Sequence, residues 1–222
     1  MSIKNALGRV VVVALPVAIT VVILAGCNKN VTVTKDTTAA ESVTATKDVA
    51  VTGNTAVTAA KTVTINGLTW MTQNLNIETQ NSWCYDDDPD DCATYGRLYT
   101  WEAAKSACAS MGGNWRLSTN EDWDNLVKHA GGKNVAGKKL KSKRGWEDGG
   151  NGTDDYGFSA LPGGGAADES FGSAGYSGNW WSATAAGPDG ALFRSILDEG
   201  DSVETSAYFR GSAFSARCVA QN

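Results

Sequence analysis

A single histidine in 222 residues is the sharpest shortage in this sequence. His129 falls near the end of a predicted helix, where a positively charged imidazole complements the helix dipole, so its placement has a structural explanation. No serine sits in a G-x-S-x-G elbow, and many acidic residues without a defined geometry do not make a glycosidase pair. Catalysis therefore has no constellation to rest on, and no enzyme activity is expected. Cations are scarce as well: 19 Lys and Arg stand against 24 Asp and Glu, for a net charge of -5. Nucleic acid and anionic lipid surfaces need clustered cations to displace counterions, so neither is expected as a partner. The one basic cluster, Lys138, Lys139, Lys141, Lys143 and Arg144, holds no aromatic residue and reads as a solvated helix face. The cysteines lack C-x2-C knuckles, which argues against a zinc site. From Asn28 to Lys61 there is no aromatic residue at all, so that stretch cannot build a core.

One apolar run is present, from Val10 to Ala25, with Lys4 and Arg9 in front of it. It falls short of the about 20 residues a bilayer crossing needs, and Pro16 interrupts it, so it reads as a secretory signal and not a membrane span. Leu24-Ala25-Gly26-Cys27 at its end has the form of a lipobox. In bacterial lipoproteins that cysteine takes a diacylglycerol and becomes the acylated N-terminus. Acyl chains contribute about 0.8 kcal/mol per buried CH₂, enough in combination to hold a soluble domain at a membrane. Residues 1–26 are thus expected to be a signal peptide, with Cys27 as the lipidation site. Asn28 is not the aspartate that retains lipoproteins at the inner membrane, which makes the expected address the outer membrane of the cell envelope. "VTVTKD" at 31–36 recurs as "VTATKD" at 43–48, and residues 27–62 read as a Thr/Val/Ala-rich disordered tether.

Once Cys27 is acylated, Cys84, Cys92, Cys108 and Cys218 remain, an even set in an exported chain, which implies disulfides. Three pairings are open, and spacing does not choose among them. Cys84 and Cys92 bracket a short acidic loop containing Pro89, where a local bridge closes easily; Cys108 with Cys218 would then form a long-range staple contributing about 4 to 5 kcal/mol in the chain-entropy model.

All eight tryptophans and all six tyrosines lie beyond Val63, so the folded unit is expected over 63–222. Asn66-Gly67 between β-type residues is a type I′ hairpin signature. Thr100 is placed to cap a helix over "WEAAKSACASM" ending at Gly112-Gly113. A second helix opens at Ser118 or Thr119 with a capping box to Glu121 or Asp122, and stops at Gly131. Gly145 to Ser177 is rich in Gly, Asp, Asn and Ser and reads as long irregular loops with isolated aromatic anchors. Strands are expected at "NWWSAT", at "ALFRSIL" with a turn over Asp198 to Asp201, and at "AFSARCV". The fold class is α+β, two helices on a small, mostly antiparallel sheet.

The segments "GLTWMTQNL", "SWCYDDDPDDCATYGRLYTWEAA", "NWRLSTNEDWDNLV", "GKKLKSKRGW", "NGTDDYGFSALPGG", "GNWWSAT" and "ARCV" occur in the order seen in the Fibrobacter succinogenes major paralogous domain, which this chain resembles over nearly all of 63–222. That family consists largely of exported or lipid-anchored bacterial proteins without an established activity. "TWEAAKSACASMGG" is also similar to the first helix of C-type-lectin-like domains, whose helix cysteine is bridged to the last strand. This resemblance implies a Cys108–Cys218 pair and a C-type-lectin-like architecture. "WRLSTNEDW" and "RCV" resemble the formylglycine-generating sulfatase-modifying variant of that fold. The sugar-binding lectin signatures Glu-Pro-Asn or Gln-Pro-Asp and Trp-Asn-Asp are replaced here by Gly187-Pro188-Asp189 and Asn179-Trp180-Trp181, so the usual calcium-dependent sugar site does not carry over. Nor does the copper chemistry of the sulfatase-modifying enzymes, because the cysteines are committed to bridges.

Asp86, Asp87, Asp88, Asp90 and Asp91 crowd one loop. A hard cation would relieve their repulsion, so structural calcium at Asp86, Asp87, Asp88 and Asp90 is one expectation; a solvated acidic loop is the other. Asn151, Asp154 and Asp155 form a second oxygen-rich turn. Trp146, Trp180 and Trp181 lie near loops, and neighbours on a strand face opposite sides, so exposure of one for ligand binding is an expectation set against burial of both. Apart from these, no cofactor is expected. The reading that follows is a lipid-anchored cell-envelope protein displaying a recognition or adhesion module for glycan or protein. The competing readings are a purely structural envelope component and an enzyme of unknown type.

Overall fold

Asn66 and Gly67 both take left-handed backbone, φ 49° and 80°. That is the type I′ geometry the dipeptide favours, and it joins β1 (Thr62–Ile65) to β2 (Leu68–Met71) with Ile65 opposite Leu68. The computed structural model describes residues 60–168 and 170–221, all within one unit spanning Thr55–Asn222. The expected signal peptide, Cys27 and the tether up to residue 59 lie outside the described residues.

Downstream, β3 (Ser82–Trp83) and β4 (Leu98–Tyr99) bracket a single 3-10 turn (Tyr85–Asp87) and helix α1 (Pro89–Tyr95). Next come α2 (Trp101–Ser110), β5 (Trp115–Leu117), α3 (Asn120–His129) and α4 (Ala136–Leu140). Five further strands complete the fold: β6 (Gly163–Ala167), β7 (Ser170–Ala174), β8 (Ser177–Ala186), β9 (Gly190–Leu197) and β10 (Glu204–Phe209), before the closing β11 (Cys218–Gln221). The α+β class holds, but the described residues carry four helices and three sheets, where the sequence pattern points to two helices and one small sheet. The sheets run β1-β2-β11-β5, β10-β9-β8-β6-β7 and β3-β4. Pairing is antiparallel except between β6 and β8.

Local chemistry explains the helix ends. Thr119 caps α3, and the box is reciprocal: the Asp122 amide donates to the Thr119 hydroxyl and the Thr119 amide to the Asp122 carboxylate. Thr100 occupies the N-cap of α2 in extended backbone, yet its hydroxyl makes no cap bond. The acidic loop between Cys84 and Cys92 is in fact a helix start. Asp88 caps α1 by accepting from the Asp90 amide, Pro89 fills the first turn, and Asp90 and Asp91 sit at the positive end of the dipole.

Two departures concern strands. Gly163–Ala167 and Ser170–Ala174 pair as a hairpin inside the stretch expected to be loop, because the glycines permit contacts no side chain would allow. A Cβ on Gly165 would meet the Phe214 ring at 2.7 Å, and one on Gly164, at φ 63°, would meet the Gly172 carbonyl at 2.4 Å. Conversely, of the expected terminal strand over 213–219 only Cys218 and Val219 are regular, as the start of β11. Ala213 to Ser215 instead makes single bridges to Ala166, Tyr99 and Trp180, joining the β3-β4 ribbon to the five-stranded sheet.

The core divides along β8. Trp180 joins Trp70, Trp123, Leu126, Phe158 and Val219 on one side; Trp181 joins Tyr99, Trp101, Leu117, Phe214 and Cys218 on the other. Disulfides link Cys84 to Cys92 and Cys108 to Cys218, the second tying α2 to the last strand as the lectin-like resemblance implies. The basic cluster is not uniformly solvated. Lys141 is 1% exposed, and its ammonium donates to the carbonyls of Leu197, Asp198 and Gly200 at 3.2, 3.0 and 3.0 Å. Burial pushes its pKa down, while Asp201 and Asp198 pull it back up.

Candidate functional site

The tryptophans expected to offer a ligand face are all buried. Trp180 and Trp181 are 0% exposed and Trp146 is 4% exposed. Each indole N–H is satisfied internally, on the Asn74 side-chain oxygen, the Tyr99 carbonyl and the Ala160 carbonyl respectively. Alternation along β8 sends the adjacent pair into opposite halves of the core, so neither ring is left for a ligand. The three residues are therefore core, not binding surface.

The acidic residues are not gathered either. Among the described residues no three Asp, Glu, His or Cys side chains converge to hold a metal ion. Asp88 is engaged in capping, and Asp86, Asp87 and Asp90 are exposed to solvent. This geometry speaks against the expected calcium ligand set. Residual crowding shows in Asp91, whose pKa is raised by partial burial and by the charges of Asp88, Asp86 and Asp90. In the second oxygen-rich turn Asp154 accepts from the Ser159 amide and hydroxyl at 2.7 and 2.6 Å, and Asn151 accepts from the Trp146 amide, so both serve the fold. His129 ends α3 and lies against the Tyr156 ring, 5.3 Å between centroids.

What remains open is a groove of three adjoining concavities where the β3-β4 ribbon, the β6-β7 hairpin and the β9-β10 edge meet. The first, about 350 Å³, is lined by Trp83, Phe171, Asp87 and Asp168 over a floor that includes Ala166 and Ala213. The second, about 520 Å³, shares Trp83 and Asp87 and extends over the Cys84–Cys92 bridge to Arg97. The third, about 570 Å³, shares Ala167 and Asp168 and ends at Tyr208, Phe209 and Asp189.

Its walls are held from beneath. Tyr85 and Phe171 lie against each other at 5.5 Å, and Tyr208 rests against Phe193 and Phe214 at 6.2 and 5.7 Å. Phe209, 64% exposed, is the most exposed large apolar side chain among the described residues. The arginines nearby are occupied. Arg97 donates to the hydroxyl and carbonyl of Ser82 and lies 3.6 Å from each sulfur of the local disulfide, with Glu78 at 3.7 Å. Arg210 donates to the carbonyls of Gly190 and Gly187 and stacks on Trp101 at 4.3 Å. By contrast, Asp87 and Asp168 have no hydrogen-bond or ion-pair partner for their carboxylates among the described residues. Exposed aromatic faces beside unpaired carboxylates can stack on a ligand and accept its hydrogen bonds.

Of these residues the sequence offers partial signals. Trp83 stands beside Cys84 in a loop, and Phe171 is an isolated aromatic among Gly and Ser. Nothing local distinguishes Tyr208-Phe209, on an edge strand with exposed Thr205, Ser206 and Ala207, from an ordinary strand end.

No curated protein and no solved structure matches this chain. The Fibrobacter succinogenes major domain model matches residues 63–220, from the first hairpin to the last strand and across every element of the groove. By that match the chain belongs to the Fibrobacter succinogenes major domain family.

Proposed function

We propose that this chain is a lipid-anchored protein of the cell envelope, outer membrane by address, that displays a C-type-lectin-like module for recognition or adhesion. It acts by binding, not by catalysis, and its ligand is a surface glycan. The observation that carries this reading is the groove between Trp83, Phe171 and Phe209. It keeps three aromatic faces and two unpaired carboxylates together at one surface. Such a groove falls within the volume range of ligand sites, and its aromatic faces suit the apolar side of a pyranose ring. The lipobox at Leu24 to Cys27 and the aromatic-free stretch behind it support a domain held away from a membrane surface.

The test is retention of the full-length protein, solubilised in detergent, on a glycan array and on insoluble cellulose, beside a Trp83→Ala variant. Retention of the parent and its loss in the variant, with unchanged thermal unfolding, are expected. Equal retention of both proteins would refute the groove as the binding site, and retention of neither would sink the recognition reading in favour of a structural envelope role. The anchor is tested separately: Cys27→Ser should leave the protein in the soluble fraction, and a variant that still pellets with membranes refutes lipidation.

A further inference from the structure

The first concavity of the groove differs from its neighbours in the charges it holds. Asp87 and Asp168 reach it from two separate turns, one following β3 and one joining β6 to β7, and no lysine or arginine lines it. Both residues sit in left-handed backbone, φ 57° and 49°, which an aspartate adopts at modest strain. The rest of the lining is two aromatic rings, Trp83 and Phe171, and the small residues Ala166, Ala167, Gly211 and Ala213.

Two unpaired carboxylates lining one recess favour a positive charge within it. The lining also says which kind. Calcium requires six to eight oxygens, which two carboxylates over an alanine floor do not supply, and a hydrated magnesium ion would leave the two aromatic faces unused. An organic ammonium is different. It pairs its charge with the carboxylates and lays its C–H groups on the aromatic faces, the combination that recognises ammonium ligands. The recess continues in both directions into concavities of comparable size, so the ammonium would belong to one unit of a longer chain.

We infer that the recess between Trp83 and Phe171 binds the ammonium group of an amino sugar, with Asp87 and Asp168 as its counter-charges and Trp83 as the platform for its ring. This inference rests on the glycan-recognition reading and narrows it to cationic, unacetylated amino-sugar polymers.

Calorimetry on the full-length protein in detergent, at low salt, with four probes of equal length tests it: a glucosamine oligomer, its N-acetylated form, a neutral glucose oligomer and an oligolysine. The glucosamine oligomer should bind at least tenfold tighter than its N-acetylated form, and Asp168→Asn or Asp87→Asn should each weaken the glucosamine oligomer at least fivefold more than they weaken the N-acetylated form. Asparagine tolerates the same left-handed backbone, so both variants should keep their melting temperature. Equal affinity for the acetylated and free amines would overturn the ammonium seat while leaving glycan recognition standing. Oligolysine binding as tightly as the amino sugar would overturn the sugar assignment, and binding of no probe would remove both readings.

Discussion

Replacing Arg217 by methionine removes a charged hub from the centre of the molecule. The guanidinium is 0% exposed, and its five N–H groups are nearly all spent: Nε donates to the Asn74 side-chain oxygen at 2.8 Å, Nη1 to the carbonyls of Met71 and Phe158 at 2.8 and 2.6 Å, and Nη2 to the Ser159 carbonyl at 2.8 Å. It also lies over the Phe158 ring at 4.5 Å. Burial pushes its pKa down to about 9 while Asp154 pulls it up, so it still carries its charge at neutral pH. In the variant, Asn74 keeps the Trp180 indole as a donor, but three backbone carbonyls lose theirs. Each acceptor left unsatisfied in an interior costs about 1 to 3 kcal/mol, against which the avoided desolvation of a buried charge returns several. The net expectation is a loss of about 3 kcal/mol, a large part of the 5 to 15 kcal/mol that holds a typical domain. Urea unfolding followed by tryptophan fluorescence reads it directly. At a slope of about 2 kcal/mol per molar, the midpoint should fall by roughly 1.5 M with the slope unchanged. Arg144→Met, on the exposed surface, is the control and should stay within about 0.5 kcal/mol. A midpoint shift for Arg217→Met no larger than the control's would refute the hub.

Asp122→Asn tests the capping box and its ion pair with Arg116. Burial raises the Asp122 pKa, but the Arg116 and Thr119 hydrogen bonds outweigh it and leave the carboxyl below its usual range. A lowered folded pKa contributes stability that is complete above the unfolded value near 4 and is lost as pH falls through the folded one. The variant should therefore be about 1 to 2 kcal/mol less stable than the parent in urea titrations at pH 7, and the gap should close as pH falls below 4. A gap unchanged down to pH 2 would contradict this. Lys141→Met should cost about 2 to 4 kcal/mol and expose the Leu197 to Gly200 turn to limited proteolysis, because three carbonyls lose an ammonium donor. Cleavage there at the parental rate would show that Lys141 does not hold the turn.

The parts of the fold legible in the sequence are those whose physics is local. Asn66-Gly67 declares a tight hairpin because only a few residues accept positive φ at both positions, and Thr119 with Asp122 declares a helix start because the bonds span three residues. The β6-β7 hairpin was hidden because it has no hydrophobic alternation. Its strands exist through close passage of their glycines against each other's backbone and against Phe214, a neighbour far along the chain. Of the groove, Trp83 was visible as a loop tryptophan and Asp87 as part of an acidic run. Their juxtaposition with Asp168 and Phe171 was not, since it depends on how a hairpin packs beside a 3-10 turn.

Read alone, the sequence determined the α+β class, the family, the two long helices with their ends, and the expectation of an anchored domain behind a tether. These follow from composition, short-range hydrogen bonding and motif order. Only the tertiary structure decided which aromatic and charged residues face water. Trp180 and Trp181 vanish into opposite halves of the core, Arg217 and Lys141 are drawn inside by backbone carbonyls, and Trp83 is left at the surface. Burial is fixed by what packs on the other side of a residue, and that partner comes from elsewhere in the chain.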